Sequence, residues 1–292
     1  MRLNAEGPAE IWLKLENLQP IGSFKLRGAG NAMGLADPDR LAKGVYTASA
    51  GNMAQGVAWC ARARGIACGV VVPDTAPEAK LAAITRLGAE IEKVPVAAWW
   101  DVLVTRRYAR WEDRLFIHPV SDPAVMAGNG TIALEILEDL PDVDTVIVPF
   151  GGGGLSCGIA AGLRALRPRA KVFASEVDTA APFAASLAAG KPVRVEHTPS
   201  FVDGIGGRSM LPEMWPLASS LLAGSIVVSV EEAAAALRLL AERNRVVAEG
   251  AGATSLAAAL KRSPDSGKTV AVISGGNIDP SKLARILHGE PP

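Results

Sequence analysis

"VIVPFGGGGLSCG", residues 146–158, runs from a β-branched apolar stretch into four consecutive glycines and then into an Ala/Leu-rich segment with helical spacing. A strand that ends on glycines and reopens as a helix is the repeating unit of a parallel sheet covered by helices. The glycines let the backbone approach an anion closely, and the following helix adds its positive end, so the passage suits a terminal phosphate. A tight turn needing small residues would use the same glycines. The passage lacks the Lys-Ser/Thr of a P-loop and does not fit GxGxxG, because Cys157 follows Leu155-Ser156.

The same grammar extends in both directions. Upstream, "GVYTAS" (44–49), "GVVVP" (69–73) and "AEIEKVP" (89–95) predict strands, with helices beginning near Asn52 and Pro77 and Gly88 as the stop of the second. Downstream come a helix at "GTIALEILEDL" (130–140), a strand "KVFASEV" (171–177), a Pro/Gly-punctuated stretch from Pro182 to Gly207, a helix "EEAAAALRLLAERN" (231–244) and a last strand within "TVAVISGGN" (269–277). There is no internal repeat and no linker, so the domain limits follow the βα pattern alone. Residues 1–43 with 122–292 form the large domain and 44–121 the small one.

The 292 residues are 49% apolar and 21% charged, with a formal net charge of zero. That balance fits a globular enzyme and offers no electrostatic footprint for nucleic acid or an anionic membrane. Cys60, Cys68 and Cys157 have neither CxxC spacing nor a nearby histidine pair, which argues against a disulfide framework or a zinc site and for a reducing cytoplasm. Neither a leader nor a membrane span is expected.

Other short motifs sit where such sheets put ligands. "TASAGNMAQGVA" (47–58) brings Ser49, Gly51 and Asn52 to a helix start, where they could bind a carboxylate or simply cap the helix. "VISGGNID" (272–279) leaves Ser274 and Gly275 at a strand end, and "AEGAGA" (248–253) puts Glu249 at a helix entry, where an acid also favours the dipole. His118, His197 and His288 have no triad partner. Trp99, Trp100, Tyr108 and Trp111 read as packing rather than a binding platform.

Taken in order, Lys25, the Ser49-to-Asn52 turn, "GGGGL", "EGAGA" and "SGGN", together with the block "KLENLQPIGSFKLRGA" (14–29), resemble the fold-type-II pyridoxal-phosphate (PLP) enzymes. Within them the chain is similar to the threonine/serine dehydratase (ammonia-lyase) family, related to serine racemase. The likeness covers nearly the whole chain. It implies a two-lobed α/β fold like the tryptophan synthase β subunit, each lobe a mostly parallel sheet flanked by helices, with PLP as cofactor, a small amino acid as substrate and a homodimer as assembly.

Carried over residue by residue, the resemblance makes Lys25 the catalytic, cofactor-bearing lysine, with Phe24 beside it. Asn52 meets the cofactor's 3′ oxygen, Gly151, Gly152, Gly153, Gly154 and Leu155 hold the phosphate, and Ser274 with Gly275 faces the pyridine nitrogen, with Glu249 near the ring. Ser49, Ala50, Gly51, Asn52 and the Met53 amide grip the substrate carboxylate. A neutral serine partner leaves the ring a modest electron sink, which favours loss of a β-hydroxyl in step with proton removal.

Departures from the family pattern carry expectations of their own. Ala50 stands where racemases have a second serine, so dehydration to a 2-oxo acid and ammonia is expected over racemisation; a serine racemase or a hydroxyaspartate-type dehydratase is the alternative. Met53 replaces a histidine, which would shift the substrate pocket toward less polar groups. Glu176 and Ala180 match a divalent-metal site of some relatives, but Pro182 replaces its last ligand, with Asp178 as an alternative oxygen; no metal is expected. Only ten residues precede Ile11, so either the start is late or the family's helical arm is missing; about fifteen residues follow "SGGN", so no regulatory domain and a catabolic role are expected. A PLP-binding protein without turnover is the rival from another class.

Overall fold

A computed structural model describes residues 1–3, 10–263 and 267–290; most of the lead-in before Ile11 lies outside the described residues. The chain opens with β1 (Ile11–Leu15), then builds α1 (Lys25–Gly34), α2 (Pro38–Ala42), β2 (Val45–Ala48), α3 (Asn52–Arg64), β3 (Cys68–Pro73), α4 (Glu78–Arg86), β4 (Glu90–Val94), α5 (Val96–Thr105) and β5 (Leu115–Phe116). It continues through α6 (Pro123–Asp139), β6 (Thr145–Pro149), α7 (Gly154–Leu166), β7 (Lys171–Val177), α8 (Pro182–Ala189), α9 (Trp215–Leu221) and β8 (Gly224–Val228). Last come α10 (Val230–Leu239), α11 (Gly250–Leu260), β9 (Thr269–Ile273) and α12 (Pro280–Leu287).

The strands form two sheets, ordered β1-β9-β6-β7-β8 and β4-β3-β2-β5, and every strand pair is parallel. Continuous rather than alternating apolar runs are the reason: β2, β6 and β9 are buried along their whole length, which requires helices on both faces. The chain packs as two units, Met1–Leu18 with Gly130–Pro292 and Gln19–Asn129. The expected limits of 44 and 121 fall inside the second. That unit takes in α1 because Ala29, Ala32 and Met33 pack into one apolar cluster with Ala54, Val57 and Ala61 of α3.

Two local differences have physical causes. The helix expected over 231–244 is α10 followed by a π-helical turn, Leu240–Asn244, which ends at Arg245 with φ +60°. There Asn244 donates to the Arg2 carbonyl at 3.3 Å, so a tertiary bond sets the widened turn. The expectation that the aromatic group packs holds for Trp111, buried against Tyr46 and Tyr108, but Trp100 is 46% exposed. Among the described residues, no helix is long and apolar enough to cross a membrane.

Candidate active site

In the smaller unit the site begins with a turn. Gln19-Pro20-Ile21-Gly22 closes through a 2.7 Å bond from the Gly22 amide to the Gln19 carbonyl, with proline and glycine at the positions a β-turn favours. Two residues later Phe24, buried, is the N-cap of α1, and Lys25 is its first residue. The Lys25 amine donates to the Pro119 carbonyl at 3.1 Å and lies 5.1 Å from the centre of the Phe24 ring. Pro119 belongs to a turn fixed by His118, whose Nδ1 accepts the Val120 and Ser121 amides at 3.0 and 2.9 Å. His118 is therefore buried and structural in this turn, a use its sequence context did not reveal.

Directly after β2, the Gly51 amide donates to Ser49 Oγ at 3.2 Å, and Gly51 rather than Ser49 or Asn52 is the N-cap of α3. Asn52 is the first helical residue, with Ala50 half-buried ahead of it. Met53 turns inward. Its side chain is 2% exposed and packs with Ala54 and Val57, because this helical position faces the apolar layer under the sheet. The Met53 thioether is thus part of the apolar cluster.

Sequence reading missed Gly56. A Cβ there would lie 3.0 Å from the Lys25 carbonyl carbon and 3.1 Å from its oxygen, so α3 touches the lysine backbone only because residue 56 has no side chain. The signal was present as "NMAQG" but means nothing without the packing partner.

In the larger unit, β6 and β9 are neighbours, with Thr145 opposite Thr269 and Ile147 opposite Ala271. Their C-terminal ends therefore bring the glycine run and Ser274 to one edge, where parallel sheets hold ligands. Gly153 takes φ +93° and is the N-cap of α7, with Gly154 and Leu155 in its first turn. The amides of a first helical turn point along the axis, an arrangement well matched to a phosphate. A Cβ on Gly275 would lie 2.6 Å from Glu249 Oε1, and the Glu249 amide donates to the Gly275 carbonyl at 2.9 Å. Gly204 completes the group: a Cβ on it would lie 3.4 Å from Glu249 Oε1, and one on Gly151 would lie 3.6 Å from the Gly204 carbonyl. The cradle is one that side chains would fill, and the amides that open α7 fit an anion such as a phosphate.

The divalent-metal set does not fit. Glu176 is 1% exposed, and its carboxylate accepts the Phe183 amide at 2.8 Å, the Ala184 amide at 2.7 Å and Ser225 Oγ at 2.6 Å. Burial pushes its acidity toward the protonated form, opposed by these bonds. Pro182 opens α8 without an oxygen-bearing side chain, and Asp178 is exposed while Glu176 is buried. Among the described residues, no group of three or more His, Cys, Asp or Glu side chains could hold a metal ion.

Parallel sheets flanked by helices, with a glycine-lined strand edge in the larger unit, define an α/β fold suited to a phosphorylated ligand. Residues 2–275 match the family described as "Pyridoxal-phosphate dependent enzyme", and the chain belongs to that family. It is 42% identical to the L-threonine ammonia-lyase of Thermotoga maritima over 96% of this chain and 70% of that one. It is 40% identical to the L-threonine dehydratase catabolic TdcB of Escherichia coli K12, over 95% and 85%. The structure of maize serine racemase superposes with a TM-score of 0.88 at 33% identity, covering 96% of this chain and 87% of that one.

Proposed function

We propose that the chain is a PLP-dependent ammonia-lyase that converts a small β-hydroxy amino acid, L-threonine or L-serine, to a 2-oxo acid and ammonia. The observation that carries this reading is the Lys25 amine, at the start of α1 and held on the Pro119 carbonyl, in a chain about 40% identical to named threonine lyases. When bound, PLP supplies the electron sink for the pair left at Cα as its proton departs.

The protein's residues do the rest. The Gly151–Leu155 amides would hold the phosphate, Asn52 the ring's 3′ oxygen, and Ser274 with Gly275 the pyridine nitrogen, with Glu249 against the Gly275 turn. Ser49, Gly51, Asn52 and the Met53 amide orient the substrate carboxylate so that the Cα proton faces Lys25. Lys25 takes that proton as base, and its protonated amine has the Pro119 carbonyl as an acceptor. The β-hydroxyl leaves with a proton as water, and a second water releases ammonia. Ala50 has no proton to deliver to the opposite face, which favours elimination over racemisation. A homodimer and a reducing, cytoplasmic setting belong to the same reading.

The test is Lys25→Ala. Visible cofactor absorption and 2-oxo acid release should both disappear, and turnover equal to the parent would overturn the assignment. A panel of β-hydroxy amino acids ranks substrates, and substantial D-serine from L-serine would contradict the role given to Ala50.

A further inference from the structure

The N-terminus of α8 has no local cap: its N-cap is Ala181, which makes no side-chain bond to the helix. The amides that an N-cap side chain would satisfy, those of the second and third helical residues, belong to Phe183 and Ala184. Glu176 reaches them from β7, one carboxylate oxygen on each, and Ser225 of β8 donates to the oxygen on Ala184. A carboxylate against a helix N-terminus is favourable, and here it is buried and bonded through both oxygens.

What the cap holds is the support of the glycine run. The fully buried Phe183 ring stacks on Phe150 at 4.5 Å between centres and 16° between planes, with Trp215 edge-on behind it. Phe150 is the residue before Gly151, and its amide is fixed to the Ser175 carbonyl at 2.9 Å, one residue before Glu176. Gly153 lies over the Phe150 ring so closely that a Cβ would be 3.2 Å from it and 3.3 Å from Met214 Cε.

We propose that Glu176, clamped on α8 and Ser225, is a positioning residue that sets the curvature of the glycine run through the Phe183–Phe150 stack, without a divalent cation. Both carboxylate oxygens already accept N–H or O–H hydrogen bonds, so a cation would compete with the α8 amides and Ser225 for them. This inference rests on assigning the glycine run to the cofactor phosphate.

The experiment compares apoprotein affinity for PLP with that for unphosphorylated pyridoxal, both read by visible absorption, in the parent, Glu176→Gln, Phe183→Leu and Gly153→Val. Glu176→Gln puts an NH2 where an amide needs an acceptor and should weaken PLP about tenfold, leaving pyridoxal unchanged. Phe183→Leu, which keeps an apolar core, should show the same phosphate-selective loss and stands in if the glutamine variant fails to fold. Magnesium, calcium or a chelator should change neither affinity. An equal loss for both ligands, or a cation-dependent gain in the parent that is absent from Glu176→Gln, overturns the proposal. If Gly153→Val weakens PLP selectively while neither Glu176→Gln nor Phe183→Leu does, the anchor is wrong and the cradle stands. If none of the three does, the cradle assignment falls, and the anchor with it. No readout depends on which amino acid is turned over.

Discussion

Gly56 shows how little room surrounds the lysine. The atoms a side chain would meet there are backbone atoms of Lys25 and Leu26, which cannot swing aside as the end of a long side chain can. Gly56→Val should therefore move the start of α1 and lower kcat roughly a hundredfold, the cost of about 1 Å of misplacement at a reacting group. Steady-state kinetics beside circular dichroism check this, and an unchanged kcat in a folded variant would remove the role. Gly275 is the opposite case, because its closest neighbour is the movable carboxylate of Glu249. Lys25, Ser274 and the glycine run were legible as residue types at strand and helix ends. Gly56 and His118 were not, because their partners are distant in sequence.

At the scale of the element, α10 carries a complete capping box. Ser229 Oγ accepts the Glu232 amide at 3.1 Å, the Glu232 carboxylate accepts the Ser229 amide at 2.8 Å, and Lys261 donates to the same carboxylate at 2.8 Å. These bonds hold Glu232 below the usual carboxylate range, with the Lys261 bond the largest cause. A depressed folded-state pKa gives stability that is present above the unfolded value and lost as pH falls through the folded one. Glu232→Gln should thus cost about 1 kcal/mol near neutral pH, and the difference should close on acidification below pH 4.5. Parallel denaturant titrations across that range read it, and a pH-independent difference would contradict the ionised cap. The residues of this cap adjoin in sequence as Ser-Val-Glu-Glu, just ahead of and into the helix expected from Glu231; those of α8 do not, because its cap comes from β7. Strand β8 was equally silent, a short edge strand that is half-buried at most positions and whose pairing with β7 alone identifies it.

For the whole molecule, the three cysteines report on each unit separately. Cys60 and Cys68 lie in the smaller unit and Cys157 in the larger, all buried as free thiols. Burial pushes Cys60 up to about 11 and Cys68 and Cys157 up to about 12, so little thiolate exists at neutral pH. Alkylation of the folded protein should be slow and should reach each cysteine only as its unit opens. Pulsed labelling with mass spectrometry through a denaturant series measures this, and native labelling at free-thiol rates would exclude the buried placement.

The sequence by itself determined the alternation of buried strands and helices, hence the parallel sheets, and the strand ends that carry Ser49, Gly151 and Ser274. These follow from local rules: continuous apolar runs, glycine backbone freedom and helix-start chemistry act over a few residues. Tertiary structure alone decided that Lys25 meets the Pro119 carbonyl, that Met53 turns inward, and that Glu176 caps a helix. Each depends on which distant groups burial brings within hydrogen-bond reach, and a linear pattern carries no record of that distance.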